Sequence, residues 1–316
     1  MIGRRKFMAG AGATMLAAPA IARAEQTTII KMGALKLIHS IAPYFYDKFT
    51  PAGYQVEVIP FESPSDGKNA VVTKSVDFGM FGIAAATLGA AVGEPIVVIA
   101  SACNKGMAVI AAKNSSINTI KDLKGKRVGI WPGSTQEVFI LERLHMEGMS
   151  VADIIPVRVF FSDMHLALAH GDIDAYVGAE PGPSVSLASG VGKLVEYPYG
   201  TAMGPLNMIF GAHRDTLQGN PALVAVILDI HRKASEYAMK NPDAMVKMAV
   251  AKLGQKPDAI AYSLPNVELT WRFGPTEIKE AETYAAHMLA LKQIKRLPDF
   301  ATFFDTRFVE AAEKKV

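Results

Sequence analysis

Residues 127–146 read RVGIWPGSTQEVFILERLHM, and this stretch contains the local pattern that recurs along most of the chain. The apolar run from Arg127 to Trp131 predicts a buried strand, and a Pro-Gly turn leads from it into a predicted helix, Ser134 to Met146. Ser134 and Glu137 have the spacing of a capping box, which satisfies free amide groups of the first helical turn. The stretch is therefore a strand–turn–helix unit.

The same alternation of strand and helix continues on both sides of this unit. Strands are predicted at 28–33, 54–61, 76–81, 96–100, 107–112, 157–161, 173–177 and 206–212, and helices at 41–49, 66–74, 84–92 and 164–170. From residue 221 onward the patterns are helical, at 223–239, 242–253 and 276–292. Strands that alternate with short helices indicate an α/β fold, with mostly parallel sheets that carry helices on both faces.

The alternation restarts after Lys113, which predicts two α/β lobes with one inserted into the other. We expect residues 25–108 and 210–316 to form lobe 1 and residues 109–209 to form lobe 2. The chain would then cross between the lobes twice, near 103–112 and near 200–210. Both crossings contain glycine, which tolerates large backbone changes, at positions 106, 200 and 204. The pattern predicts a ligand cleft on a double hinge.

Residues 1–24 have the pattern of an export signal. Arg4, Arg5 and Lys6 precede a short apolar run, and Ala22-Arg23-Ala24 is a typical cleavage site. The adjacent arginines predict a twin-arginine signal peptide that is cleaved after Ala24 and directs the protein to the periplasm. The peptide holds four basic residues and no acid, so its removal changes the formal net charge from +3 to −1. A nearly neutral mature protein is not expected to bind nucleic acid.

Composition and motifs favour a binding protein over an enzyme. The chain has one cysteine, Cys103, so no intramolecular disulfide is possible, and we expect it to be a small buried residue. His165 and His170 are five residues apart and do not share a helix face, and no cluster has metal-ligand spacing. Nucleophile elbows and phosphate-binding loops are also missing from the sequence. We therefore predict no catalytic residues, no metal and no cofactor.

Candidate ligand-binding residues follow the predicted strands, because open α/β sheets bind ligands beyond the carboxyl ends of their strands. The helix start at residue 134 either only caps the helix or also holds a ligand oxygen with its free amide and hydroxyl groups. Aromatic residues at strand ends either stack on a planar ligand or form the edge of the core. A surface position is expected for the histidine at 39, although it could reach the cleft. The predicted ligand-binding residues are Lys36, His39, Phe61, Gly82, Ile83, Ser134, Thr135, Gln136, Phe161, Asp163 and Glu180.

Several segments together resemble the nitrate/sulfonate/taurine and thiamine-precursor family of solute-binding proteins that serve ABC importers. The resemblance covers the chain from about Ile29 to Val309. It rests on the order and spacing of short motifs: VDFG at 76–79 with a glycine at 82, GEPI at 93–96, IKDLKGKRVG at 120–129, GST at 133–135, GDIDA at 171–175, EP at 180–181 and DTRF at 305–308.

The resemblance implies a two-lobed, type II periplasmic binding fold and a monomer that delivers a small organic solute to a membrane permease and its ATPase. The solute would be sulfonate-like, taurine-like or a planar heterocycle. It further implies ligand contacts at positions 82, 83, 134, 135 and 180. Two alternatives stay open: an enzyme of the same fold, similar to the pyrimidine-precursor synthases, and a ligand-sensing subunit without transport.

Overall fold

The computed structural model describes residues 27–254 and 256–314. The predicted signal peptide, residues 1–24, lies outside the described residues. Within the described residues the chain forms eleven strands and twelve α-helices. Among those helices, none is both long and apolar enough to cross a membrane.

The strands are β1 (Thr28–Leu35), β2 (Tyr54–Phe61), β3 (Phe78–Gly82), β4 (Ile96–Lys105), β5 (Met107–Ala112), β6 (Arg127–Ile130), β7 (Ile155–Arg158), β8 (Ala175–Ala179), β9 (Gly192–Glu196), β10 (Leu206–His213) and β11 (Val267–Leu269). They form two sheets, with the strand orders β11-β4-β10-β3-β1-β2 and β7-β6-β8-β5-β9. The predicted two-lobed α/β fold is thus confirmed, because each sheet forms the centre of one lobe.

The helices are α1 (Pro64–Val72), α2 (Ile83–Ala91), α3 (Thr135–Met146), α4 (Met164–His170), α5 (Gly182–Ala188), α6 (Arg214–Gly219), α7 (Pro221–Lys240), α8 (Pro242–Leu253), α9 (Pro257–Ser263), α10 (Pro275–Ala290), α11 (Phe300–Phe303) and α12 (Arg307–Glu313). The predicted helix at 41–49 is a 3-10 helix, Ala42–Lys48.

Most strands of each sheet run in one direction, as predicted: β1 to β4 in the first sheet and β6 to β9 in the second. The edge strand β11 runs antiparallel to β4. In the first sheet β10 also runs antiparallel, to both β3 and β4, and in the second sheet β5 runs antiparallel to both β8 and β9. The physical reason is the path of the chain between the lobes. β4 continues directly into β5, and β9 leads back into β10, so neither strand enters its sheet through a crossover helix.

The two sheets place the limits of lobe 2 differently from the predicted residues 109 and 209. The strands of the second sheet begin at Met107 and end at Glu196, whereas β10 lies between β3 and β4 in the first sheet. All eight residues of β10 are buried, so this strand belongs to the core of lobe 1. Apolar content alone could not show which of the two sheets would bury it.

Helix α3 of lobe 2 packs across the boundary onto α10 of lobe 1. The ring of Phe139 lies edge-on against Tyr284, with the ring centroids 5.3 Å apart. Beside it, Glu142 Oε2 and His287 Nδ1 are 2.7 Å apart. On the opposite part of lobe 2, α9 packs against α5. The lobes therefore touch on both sides of the cleft as well as at the hinge.

Candidate functional site

A cavity of about 540 Å³ lies where the carboxyl ends of β1, β2 and β8 face each other across the two lobes. The C-terminal end of α8 forms a further wall. The size of the cavity is typical of a small-molecule site. The lining residues are Lys36, Leu37, Glu62, Phe161, Ser162, His165, Ala179, Pro181, Gly182, Ala251, Lys252, Leu253 and Gly254. We call this space the cleft cavity.

Two charged residues at the mouth of the cleft cavity are positioned by the parallel pair β1 and β2. The amide of Lys36 donates to the carbonyl oxygen of Phe61 at 3.0 Å, which extends the pairing one residue beyond β1. The side chains of Lys36 and Glu62 form an ion pair, and both are about half exposed, at 49% and 51%. An exposed ion pair contributes little to stability, so these groups remain available to a ligand.

The charges around the cleft cavity favour a ligand with a negative group. Among the lining residues Lys36 and Lys252 are cationic and Glu62 is the one acid, which leaves one positive charge in excess. Lys252 also lies over the ring of Tyr44, with Nζ 5.1 Å from the centroid. Burial lowers the pKa of His165, so its imidazole is neutral near pH 7 and can donate or accept a hydrogen bond.

Glu180 is a buried hinge residue, with 1% of its surface exposed. Its carboxylate accepts hydrogen bonds from the Asn266 side chain at 3.1 Å and from the Ser184 amide at 3.1 Å. Its own amide donates to the Gly106 carbonyl oxygen at 2.9 Å. Burial raises the pKa of the Glu180 carboxyl group. These bonds join both lobes at the crossing between β4 and β5.

His39 is buried against the same crossing, which corrects the expectation of a surface position. It is 1% exposed, and a Cβ atom added at Gly106 would overlap its imidazole ring. Burial lowers the pKa of His39 to about 4. Within the described residues neither of its ring nitrogens has a hydrogen-bond partner, and the same holds for Ser40 Oγ, Asn104 Oδ1 and Asn207 Oδ1. Buried polar groups without protein partners are uncommon, and a water molecule or a bound solute can supply the missing partner.

The start of α3 meets the start of α2 at the inner end of the cleft. A Cβ atom at Gly82 would lie 2.5 Å from Thr135 Oγ1, and that hydroxyl donates to the Asn207 carbonyl oxygen at 3.3 Å. Ser134 Oγ accepts from the Glu137 amide at 3.1 Å, so the predicted cap is present. The Glu137 carboxylate accepts instead from the Gly133 amide at 2.7 Å, so the predicted reciprocal bond to residue 134 is replaced.

The eleven predicted residues divide into three groups. Lys36 and Phe161 line the cleft cavity. Seven are buried, either at the hinge or where α2 meets α3: His39, Gly82, Ile83, Ser134, Thr135, Gln136 and Glu180. Phe61 and Asp163 lie outside the cavity lining: the Phe61 ring packs over Gly33 of β1, and Asp163 is exposed before α4.

Sequence reasoning missed the wall contributed by α8, residues 251–254, and the role of His165 as a lining residue. The rule that ligands bind beyond the carboxyl ends of strands, which we call the strand-end rule, cannot identify a helix that follows the strands by tens of residues. His165 follows Phe161 by one turn, so the rule would have found it if extended into the next helix. Within the residues that the structure describes, no group of three His, Cys, Asp or Glu side chains is placed to hold a metal ion.

We compared the chain with a family model and with known proteins. The model of the NMT1/THI5 like family matches residues 46–245. A protein of Escherichia coli (strain K12) that is named for binding aliphatic sulfonates is 24% identical over 241 residues, which cover 76% of this chain and 72% of that protein. The 4-amino-5-hydroxymethyl-2-methylpyrimidine phosphate synthase of Schizosaccharomyces pombe (strain 972 / ATCC 24843) is 27% identical over 129 residues, covering 40% of this chain and 37% of the synthase.

A similar solved structure is the alkanesulfonate-binding protein SsuA from Xanthomonas axonopodis pv. citri bound to MOPS. It superposes with a TM-score of 0.78 and 18% identity, covering 89% of this chain and 99% of that one. At this identity the match establishes the two-lobed fold. The family model spans well over half of the sequence, and the chain therefore belongs to the NMT1/THI5 like family.

Proposed function

We propose that this chain is the solute-capturing subunit of an ABC importer and that it holds a small organic anion, such as a sulfonate, in the cleft cavity. The observation that carries the proposal is the cavity itself. It has about 540 Å³, its walls come from both lobes, and it lies beyond the carboxyl ends of the strands. A solute held between two lobes on a double hinge can be enclosed and released by their movement.

The charge of the cavity supports an anion over a neutral solute. Lys36 and Lys252 face the space from different lobe 1 elements, and one acid, Glu62, offsets one of them. The apolar part of an organic anion would contact Phe161 and Leu37. The Escherichia coli relative is named for binding aliphatic sulfonates, which agrees with this chemistry.

The proposal includes the partners and the location that the sequence predicts. The mature chain would act in the periplasm as a monomer, and it would pass its solute to a membrane permease driven by an ATPase. Support comes from the export pattern of residues 1–24 and from the solute-binding relatives. Contact with the membrane would occur only through the permease.

Calorimetry with ethanesulfonate, taurine, nitrate, acetate and a pyrimidine tests the proposal. We expect a sulfonate to bind, and at 100 times its dissociation constant it should raise the free energy of unfolding by about 2.7 kcal/mol. Lys36→Gln should weaken binding. Lys74→Gln is the matched control, because Lys74 is equally exposed (51%) and also ion-paired, but with Asp215 outside the cavity. Binding of no anion, or equal losses in both variants, would refute the proposal.

An enzyme is the second candidate, because the chain is also similar to part of a pyrimidine phosphate synthase. A cysteine nucleophile is not favoured here. Cys103 is fully buried, its Sγ donates to the Asn104 carbonyl oxygen at 3.1 Å, and burial raises its pKa. Mass spectrometry of the solute recovered after binding separates the two functions. An unchanged solute supports capture, and a converted solute supports catalysis.

A further inference from the structure

A second space adjoins the cleft cavity between α5 and α9. It has about 260 Å³, and its lining residues besides His165 are Val185, Ala188, Ser189, Lys256, Asp258 and Ala259. We call it the α5–α9 groove. His165 lines both the groove and the cleft cavity, so the two spaces adjoin the same residue.

The wall of the groove is suited to an apolar chain. Its apolar lining residues are Val185, Ala188 and Ala259, of which Ala259 is buried, Val185 is partly buried and Ala188 is exposed; the polar residues at 189, 256 and 258 are exposed to solvent. The helices that form it come from different lobes, because α5 follows β8 of lobe 2 and α9 follows α8 of lobe 1. The groove is therefore a second place, besides the cleft cavity, where a solute could contact both lobes.

His165 has the chemistry of a contact residue at the junction. Its Nδ1 atom is buried and has no hydrogen-bond partner within the described residues. The residue as a whole is only partly buried, and it lines both spaces. A neutral imidazole in this position can bond to a polar group of a solute and can also pack flat against a chain that passes it.

We propose that the solute is an elongated organic anion, whose charged head lies near Lys36 and Lys252 and whose apolar tail passes His165 into the α5–α9 groove. This inference rests on the proposed function, and it narrows the solute class from small anions to anions with an extended tail. The cleft cavity alone is larger than taurine or nitrate requires. Such small anions would leave the groove and its three apolar residues without a contact.

Calorimetry with linear sulfonates from ethanesulfonate to octanesulfonate tests the inference. Each methylene that enters the groove should tighten binding about fourfold, the ratio that about 0.8 kcal/mol per buried methylene gives. Ala188→Phe fills the groove with a bulky ring at an exposed position. This variant should reduce the affinity ratio of octanesulfonate to ethanesulfonate at least tenfold and leave ethanesulfonate binding unchanged. Ala286→Phe is the control and should leave the ratio unchanged, because Ala286 is exposed on α10 and lines neither space.

The outcomes separate this inference from the proposed function. Tight binding of ethanesulfonate with no gain for longer chains would overturn the elongated solute and leave the capture function standing. A chain-length gain that Ala188→Phe does not reduce would also overturn the inference, because the tail would then lie elsewhere. Binding of no sulfonate in the series would overturn both proposals together.

Discussion

Replacing Gly106 by alanine should destabilise the protein by about 2 to 5 kcal/mol. Gly106 has a φ of +77°, which costs an L-residue about 1–2 kcal/mol. The new Cβ atom would also overlap the imidazole of His39, which is 1% exposed and has little room to move. Forcing an extra group into a packed core costs about 1–3 kcal/mol more. Urea unfolding with linear extrapolation measures the sum.

Two further variants isolate the overlap with the imidazole. Gly125→Ala has a similar φ of +70° and no atom within 4 Å of the added Cβ, so it should lose only the backbone part, about 1–2 kcal/mol. In the His39→Ala background, Gly106→Ala should lower the free energy of unfolding by no more than Gly125→Ala does in the wild-type background. If Gly106→Ala and Gly125→Ala were equally destabilising in the wild-type background, our account of the packing at this hinge would be refuted.

Three more predictions concern the site, the pH dependence and export. Thr135→Val should leave solute affinity by calorimetry unchanged within about twofold, because Thr135 is buried where α2 meets α3 and does not line the cleft cavity; a loss of about tenfold would place the solute at that contact instead. Burial lowers the pKa of His231 to about 4 in the folded protein, against 6.5 when unfolded, so the unfolded state binds the extra proton and stability should fall as pH decreases from about 6.5 to 4. The loss should reach about 3 kcal/mol, and it should shrink in His231→Gln when urea midpoints are compared at pH 7 and pH 4.5. Replacing both Arg4 and Arg5 by lysine should abolish periplasmic yield in fractionated cells, and an undiminished yield would contradict the twin-arginine route.

Sequence reasoning worked best where an apolar run is bounded by clear turn signals. The strands Tyr54–Phe61 and Met107–Ala112 and the helix Pro242–Leu253 have the predicted bounds. It failed where local signals conflict with the tertiary structure. Helix α5 was not predicted, although the Gly-Pro pair that opens it is compatible with a helix, because proline is well suited to the first helical turn. Strand β9 is short and only partly buried, so its apolar pattern was too weak to detect.

The candidate site could be predicted only in part, for a similar reason. The strand-end rule found Lys36 and Phe161, because the positions after a strand follow directly from the chain. It could not predict that His39 would be buried, since the 3-10 turn Ile38–Ser40 packs against β4 and β11, which come much later in the sequence. The α8 wall and the α5–α9 groove depend likewise on helices that are distant in sequence from the strand ends.

The position of β10 has a consequence for the order in which the molecule can assemble during synthesis. Ile209 of β10 pairs with Phe81 of β3 on one side and with Ser101 of β4 on the other. The ribosome must therefore complete the whole of lobe 2 before the central strand of the first sheet exists. Until then β3 and β4 present unpaired, apolar edges, which are templates for pairing with another chain. The nascent chain should therefore be most prone to aggregate in this interval, before residue 213 has been made.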